Sequence, residues 1–497
     1  MAINSSSYTK IRKPNNNNSS MPTLTHLLYL LFISFLLFIL LLHFPPSSSY
    51  TSSPTTSIIK HFSGDLRNIT FSWNSLKLTG DKSPPTQLKI AVFSRKWPVV
   101  TAPGGMERHA MTLHYALARR NHDVHVFTSA PSPGDLPAEG QTKPASLHVH
   151  HIHALPGQWK SDLAWELFDT ENARGVFDVV HSESVALFHR QARHVPNLAV
   201  SWHGISLEAL HSGIYQDLTR SPDEPISPAF NQSLAHSIYK VLDEIRFFHS
   251  YKHHVAISDS SGEILRDVYQ IPPDRVHVIL NGVDEENFEP DKALGKSFRE
   301  EIGIPSKALV VFGVAGRLVK DKGYPLLYEA FSKFMSRHPD VYLVVAGSGP
   351  WAKRFEDLGL NVKVLGALPP AKLKAFYNSL DLFVNPTLRP QGLDLTLMEA
   401  MECGTAVAAT RFPSIKGSIV VDDEFGYMFS PNVDSLRGVL DTAVAEGAGR
   451  LAERGRACRS YAKRMFGARK MALAYERLFL CIKDDMYCKY PIIDFDM

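Results

Sequence analysis

The stretch ALVVFGVAGRLVKDKG, residues 308–323, contains an apolar strand followed by a basic loop. A short, continuously apolar strand is typical of a parallel sheet that is covered on both faces. Gly316 and Gly323 bracket the loop, in which Arg317 and Lys322 stand five positions apart. A guanidinium can bind a phosphate in a fork and an ammonium acts as a point charge, so the pair suits a diphosphate at the sheet edge. A solvated basic loop is the alternative interpretation.

The same alternation of apolar strands and amphipathic helices runs along most of the chain. We predict strands in LKIAVFS, DVHVFTS, FDVVHSES, NLAVSWHG and HHVAISDS, and in ALVVFGVAGR, VYLVVAGSGP, NVKVLGAL, DLFVNP and GTAVAAT. This rhythm predicts an α/β protein with two Rossmann-like, doubly wound domains, because strands that alternate with helices form parallel sheets. Ligands of such sheets bind at the carboxyl ends of the strands.

The length of 497 residues exceeds what one hydrophobic core normally organises, which also favours two domains. The polar, acidic stretch from Asn281 to Ile304 contains the expected boundary. We assign residues 87–284 to an N-terminal, acceptor-side domain and residues 285–470 to a C-terminal, nucleotide-binding domain. Residues 471–497 are expected to form a helix and tail that pack back on the first domain.

The N-terminus has the pattern of a membrane anchor. Leu24–Phe44 contains no Asp, Glu, Lys or Arg, and as a helix it would be about 31 Å long, enough to cross a bilayer. Residues 1–23 carry basic side chains and no acidic one, so they are expected to form a cytosolic tail. We therefore predict a single-pass type II membrane protein, with a cleaved signal peptide as the alternative.

Residues 45–86 begin PPSSSYTSSPTTS and are expected to form a stem. Asn68 and Asn231 each begin a glycosylation triplet, which can be used if the chain is lumenal. The predicted location is the Golgi or another endomembrane, with the catalytic part in the lumen.

Composition argues against several classes of protein. A formal charge of +3, from 53 basic and 50 acidic side chains, gives no basic surplus for binding nucleic acid. The four cysteines form no CxxC zinc pair, although Cys481 and Cys488 could form a disulfide in an oxidising compartment. Neither first strand is followed by GxGxxG, so a nicotinamide dehydrogenase has little support.

A second candidate binding segment is NPTLRPQGLDLTLMEAMECGTAVAAT, residues 385–410. It reads as a strand end, a loop and a helix that Asp394 can cap. Glu399 lies inside that helix among apolar neighbours, and a buried carboxylate requires hydrogen-bond donors. Hydroxyl groups of a sugar or ribose would serve, and a salt bridge to a basic side chain is the alternative.

Three weaker patterns have simpler explanations. Gly104 and Gly105 precede a helix, where backbone N–H groups can approach an anion, but a tight turn is the preferred interpretation of an isolated Gly-Gly pair. The stretch LHVHHIHAL places His148 and His150 on one face of a strand, and a polar strand face is preferred over a metal site there. The DFD motif at residues 494–496 is interpreted as part of a tail. We therefore predict no metal.

The motifs, taken in order, resemble one enzyme family. PGGMERHAMTLHYALARR, SWHG, VAISDSS, ILNGVD, GRLVKDKG, VVAGSGP and LMEAMECGTAVAAT resemble the corresponding segments of the retaining nucleotide-sugar glycosyltransferases of family 4, which have the GT-B fold. The resemblance covers about Leu88 to Leu480. The chain also resembles a plant branch of this family, whose specificity is unassigned.

The resemblance implies roles for particular residues. Arg317 and Lys322 would hold the donor diphosphate and stabilise the leaving group, and His203 in SWHG would contact the transferred sugar. These three are the predicted catalytic residues. The predicted donor-binding residues are Gly104, Gly105, Gln391, Gly392, Leu393 and Glu399, with Glu399 on the ribose. The family has glutamate where this chain has Gln391, eight residues before Glu399.

The implied reaction is transfer of a hexosyl unit from a nucleotide sugar to an acceptor hydroxyl with retention of configuration. A UDP-sugar is the expected donor because UDP-sugars are the commonest. The acceptor would be a glycan, glycoprotein or glycolipid, and no cofactor is expected. Two alternatives stay open. One is a non-catalytic protein of the same fold that binds nucleotide sugars or partners, and the other is a GT-B nucleotide-sugar epimerase.

Overall fold

A computed structural model describes residues 84, 86–98, 104–131, 143–220, 225–226 and 228–488. The predicted anchor at residues 24–44, the triplet at Asn68 and the motif at residues 494–496 lie outside these ranges. Within them, no helix combines the length and the apolar character needed to cross a bilayer.

The first domain contains a sheet of seven parallel strands. They are β1 (Lys89–Phe93), β2 (Asp123–Ser129), β3 (Leu147–Ile152), β4 (Val179–Glu183), β5 (Leu198–Trp202), β6 (His253–Ala256) and β7 (Val276–Val278). The spatial order is β3-β2-β1-β4-β5-β6-β7. Strands β1 and β4 are neighbours although two strands separate them in the chain, so the order reverses between them.

The helices of this domain connect its strands. They are α1 (Gly105–Arg119), α2 (Ser161–Arg174), α3 (His189–Ala192), α4 (Ser206–Leu218), α5 (Pro228–Phe248) and α6 (Asp259–Glu263), with a π-helical turn at Ile264–Val268 and 3-10 turns at Ser184–Ala186 and Pro273–Arg275.

The second domain repeats the design with six parallel strands. They are β8 (Val310–Ala315), β9 (Val341–Ala346), β10 (Val362–Gly366), β11 (Leu382–Asn385), β12 (Ala406–Thr410) and β13 (Gly426–Phe429). The order β10-β9-β8-β11-β12-β13 reverses between β8 and β11.

The remaining helices cover the second sheet and return to the first. They are α7 (Lys292–Glu301), α8 (Tyr324–Met335), α9 (Ala352–Glu356), α10 (Pro370–Asn378), α11 (Leu395–Glu402), α12 (Val433–Met465) and α13 (Ala468–Lys483), with 3-10 turns at Lys320–Lys322 and Asp485–Cys488.

The chain crosses back to the first domain just before α13. The backbone N–H of Val283 donates to Phe466 O at 2.7 Å, and that of Ala468 donates to Val283 O at 2.9 Å. Beyond this crossing, the apolar face of α13 packs on the first domain, where Tyr475 and Leu478 are buried in one cluster with strand β1 and helix α1. Cys481 and Cys488 form a disulfide, as the sequence allowed.

The two parallel-sheet, Rossmann-like domains predicted from the strand pattern are confirmed. The structure adds strands that the sequence did not predict, β7 and β13, at the outer edges of the two sheets. Their segments VHV and GYMF are short, so they carry too little apolar periodicity to be recognised.

Candidate functional site

Loops from both sheets bring the predicted residues to the carboxyl ends of the strands. In a doubly wound sheet, the ligand crevice lies at the point where the strand order reverses. In the first domain this point lies between β1 and β4, and in the second it lies between β8 and β11. Gly104 follows β1, and the loop with Arg317 and Lys322 follows β8. The fold therefore places these residues where such sheets bind ligands.

Glu399 on α11 is buried and both of its oxygens accept hydrogen bonds. Tyr377 Oη donates to Oε2 at 2.7 Å, and Arg108 of α1 forms an ion pair with Oε1. The salt bridge that the sequence left open is therefore present, and it joins the two domains. A carboxylate has about four lone-pair sites, so each oxygen retains capacity for a further donor.

Lys322 forms an ion pair with Asp394. Asn385 Nδ2 donates to the other carboxylate oxygen of Asp394 at 3.3 Å. Asp394 is the residue before α11, but its side chain makes no capping hydrogen bond, contrary to the sequence prediction. The reason is that Lys322 and Asn385 hold the carboxylate instead. Burial alone would raise the pKa of Asp394, but Lys322, Arg389 and Asn385 outweigh burial and lower it.

Gly323 fixes the position of Lys322. Its φ of 75° lies in the left-handed region, and a Cβ there would come within 1.7 Å of Pro386 O. Only glycine allows both features without strain. The loop after β8 can therefore pack against the loop after β11, which brings Lys322 to Asp394.

Arg317 occupies the start of the same loop and is exposed. Its guanidinium makes no hydrogen bond or ion pair with another described residue. An exposed guanidinium at the carboxyl end of β8 is available to bind an anion in a fork. Of the two predicted site cations, Lys322 is therefore held by a carboxylate, and Arg317 has no such partner among the described residues.

Gln391 is buried at the contact between the domains. Its backbone carbonyl accepts hydrogen bonds from Ser258 and Ser261 at 2.8 and 3.2 Å, and its side-chain Nε2 lies 3.2 Å from His211 Nδ1. The side-chain Oε1 is buried and has no partner among the described residues. Because an unpaired buried carbonyl is costly, this oxygen is an available acceptor for a hydroxyl.

Gly392 lies beside a partly buried ion pair between the domains. Arg389 Nη2 donates to Glu208 Oε2 at 2.9 Å, and a Cβ on Gly392 would come within 2.5 Å of Glu208 Oε1. Burial raises the pKa of Glu208, and Arg389 opposes that rise. Leu393 is buried in the core. Gly392 and Leu393 shape the loop, but neither has a polar side chain that could bind a ligand.

His203 follows β5 and is held by Glu183 at the end of β4. His203 Nε2 and Glu183 Oε2 are 2.5 Å apart. Ser184 has a φ of 52°, a strained value for a serine, and its Oγ accepts from the backbone N–H of His203 at 3.3 Å. The carboxylate and the turn fix the imidazole, so His203 is a positioned donor or acceptor at the sheet edge.

More histidines are buried behind His203. His109 lies edge-on to it with ring centroids 4.5 Å apart, and neither nitrogen of His109 has a described partner. His114 Nε2 lies 3.0 Å from His181 Nδ1. Burial lowers the pKa of all three side chains, that of His181 to about 3. Burial would raise the pKa of Glu183, but the surrounding imidazoles outweigh it and hold the pKa well below its usual range.

Gly104 and Gly105 begin α1 and are exposed. Gly104 O accepts from the backbone N–H of Arg108 at 3.1 Å, so Arg108 lies one turn into the helix. A Cβ on Gly105 would meet nothing within 4 Å. The space at Gly105 is consistent with the close approach of a ligand, and the site roles of both glycines stay predictions.

Several residues at this edge were not identified from the sequence. They are Arg108, His109, Glu183, Glu208, Tyr377 and Arg389. Arg108 and His109 stand inside the motif PGGMERHA, so their motif was recognised although their roles were not. Glu208 and Arg389 are 181 positions apart, and no local signal pairs them.

The sequence also matches two known family models. Residues 103–287 match the model Glycosyltransferase Family 4, and residues 296–465 match the model Glycosyl transferases group 1. Together the two matches cover more than half of the chain. The chain is a glycosyltransferase of the group 1 and family 4 type.

Known proteins resemble this glycosyltransferase along most of its length. A D-inositol 3-phosphate glycosyltransferase of Corynebacterium glutamicum is 26% identical over 71% of this chain and 88% of its own. A sucrose-phosphate synthase of Thermosynechococcus elongatus has a TM-score of 0.62 at 18% identity, covering 79% of this chain and 98% of its own. The Anabaena protein HepE, solved with UDP-glucose, has a TM-score of 0.56 at 18% identity, covering 79% and 99%. The two structures support the GT-B fold of this glycosyltransferase.

Proposed function

We propose that the chain transfers a hexosyl unit from a nucleotide sugar to an acceptor hydroxyl with retention of configuration. The observation that carries the proposal is the pair Arg317 and Lys322 at the carboxyl end of β8, where the strand order of the second sheet reverses. Cations at this point suit a diphosphate. A UDP-sugar is the favoured donor, and HepE, which has the same fold, was solved with UDP-glucose.

The proposed mechanism uses the two cations on the leaving group. The acceptor hydroxyl attacks the anomeric carbon from the face that the diphosphate leaves, and the diphosphate takes the hydroxyl proton. Negative charge grows on the diphosphate as the glycosidic bond breaks, and Arg317 and Lys322 stabilise it. His203, fixed by Glu183, orients the sugar, and Glu399 accepts hydrogen bonds from the ribose.

The proposed location is the lumen of the Golgi or another endomembrane, behind the anchor at residues 24–44. The disulfide between Cys481 and Cys488 supports an oxidising compartment. Asn231 is exposed on α5, where a glycan could be attached. The acceptor is proposed to be a glycan, glycoprotein or glycolipid.

A panel of UDP-, GDP- and ADP-sugars, incubated with the purified full chain and a mixture of glycan acceptors, tests the function. We expect nucleotide release from one nucleotide class, faster with acceptor than without. Tight binding with no release from any donor would instead support a nucleotide-sugar-binding protein, which the amide at Gln391 motivates. Conversion of one donor into its epimer without nucleotide release would support an epimerase.

Gln391→Glu is expected to raise kcat/KM for the preferred hexosyl donor about tenfold. A carboxylate makes charge-assisted hydrogen bonds to sugar hydroxyls, which exceed those of a neutral amide by about 1–2 kcal/mol. Steady-state kinetics over the donor panel measure the effect, with the exposed Gln270→Glu as the charge-matched control. If rate and donor profile are both unchanged, the side chain of Gln391 does not contact the sugar.

A further inference from the structure

A cluster of histidines and one aspartate lies on the outer strands of the first sheet. Asp123 and His125 are on β2, and His148 and His150 are on the edge strand β3. His148 is the register partner of His125, and Asp123 stands two residues before His125. Because side chains two apart on a strand share a face, the side chains of all four residues lie on one face of the sheet.

The distances within the cluster match those of a metal site. Asp123 Oδ1 lies 3.2 Å from His125 Nε2 and 3.3 Å from His148 Nε2, and the three atoms lie within 4.8 Å of one another. Zinc binds nitrogen and oxygen ligands at about 2.0–2.2 Å in tetrahedral geometry, which separates the ligand atoms by about 3.3 Å. The two distances from Asp123 are therefore those expected of ligands that share one ion.

A fourth side chain orients the central ligand. His125 Nδ1 lies 3.0 Å from His150 Nε2, and the two rings stack with centroids 5.1 Å apart. A hydrogen bond to the second imidazole nitrogen is the usual device that fixes the tautomer of a metal-binding histidine.

The surroundings leave the cluster open on one side. Asp123 is 34% exposed and His148 is 48% exposed, so an ion can enter and water can complete its coordination. Lys89 is a cation close enough to act on His125, and its Nζ donates to Gly175 O at 2.6 Å. Asp123 is the first residue of β2, and the cleft lies at the opposite, carboxyl end of the strands.

We propose that Asp123, His125 and His148 bind one divalent transition-metal ion, with Zn²⁺ the best fit to the ligands and distances. Two imidazoles and one carboxylate are ligands that zinc accepts, with water in the fourth position. The ion joins the edge strand β3 to β2 and stabilises the first domain. The sequence favours a polar strand face here, because no cysteine or acid stands near these histidines in the chain. The pairing of β2 with β3 brings Asp123 next to them.

Zinc titration of the purified full chain, stripped with a chelator, tests the site. We expect one Zn²⁺ per chain to be bound through this cluster and to raise Tm. His148→Ala and Asp123→Asn are each expected to weaken that binding at least tenfold and to abolish the rise in Tm. The matched control is His151→Ala, an exposed histidine on the same strand that alternates to the opposite face.

Cobalt gives a second readout, because tetrahedral Co²⁺ has intense visible absorption bands that His148→Ala should remove. Retention of tight zinc binding by His148→Ala, or equal losses in His148→Ala and His151→Ala, would overturn the proposal. Absence of any zinc binding in the stripped wild-type chain would overturn it as well. His203→Ala separates this site from the buried group of His109, Glu183 and His203, and it is expected to leave the tight binding unchanged.

Discussion

Lys322→Met is expected to lower kcat/KM about 10²–10³-fold. An effect of this size is typical when one preorganised donor that stabilises the charge growing in the transition state is removed. Lys322 is only 17% exposed and forms an ion pair with Asp394 at the carboxyl end of the second sheet. Methionine retains most of the apolar stem, so the change removes the ammonium while preserving packing.

Two further variants separate catalysis from structure. Lys320→Met removes an exposed lysine from the same 3-10 turn and is expected to change kcat/KM less than twofold. Asp394→Asn in the Lys322→Met background removes the carboxylate that the variant leaves without its cation. If the double variant recovers wild-type activity, the loss came from the unpaired Asp394 and Lys322 does not act on the diphosphate.

The strand pattern was sufficient to predict the architecture, because parallel strands covered on both faces are recognisable as continuous apolar runs. In FGVAGR, the strand β8 and the loop that holds Arg317 follow directly from the sequence. The short strand β13 could not be predicted from the sequence, because its position depends on pairing with β12 rather than on its own composition.

The site was predictable only where its residues share one segment. Lys322 and Arg317 lie in one loop, and Gln391 to Glu399 lie in one loop and helix, so local patterns indicate them. Contacts between domains depend on how the domains dock. Arg108 and Glu399 are 291 positions apart, and a single sequence offers no signal that pairs them.

Acidification from pH 7 to pH 5 is expected to lower the free energy of unfolding by roughly 2 kcal/mol for each fully buried, neutral histidine. Burial lowers the pKa of His181 and of His254 to about 3. Below about pH 6.5 the unfolded chain binds protons that the folded chain excludes. Stability is therefore lost as the pH falls from about 6.5 toward 3.

Buried carboxyl groups oppose this trend. Burial raises the pKa of Glu402 to about 7, so the folded chain binds a proton there that the unfolded chain releases above about pH 4.5. Glu402 therefore stabilises the folded state increasingly as the pH falls through 7. Buried histidines with lowered pKa also include His109 and His114, and together they outweigh Glu402, so we expect a net loss.

His254→Gln isolates one contribution to that loss. Trp202 Nε1 donates to His254 Nδ1 at 3.0 Å, and the glutamine carbonyl can accept the same hydrogen bond without titrating. Denaturant unfolding at pH 7, 6 and 5 should show a loss about 2 kcal/mol smaller than in the wild type. His236→Gln, at an exposed position on α5, should follow the wild type. If His254→Gln loses stability in parallel with the wild type, His254 becomes protonated without unfolding, and burial does not keep it neutral.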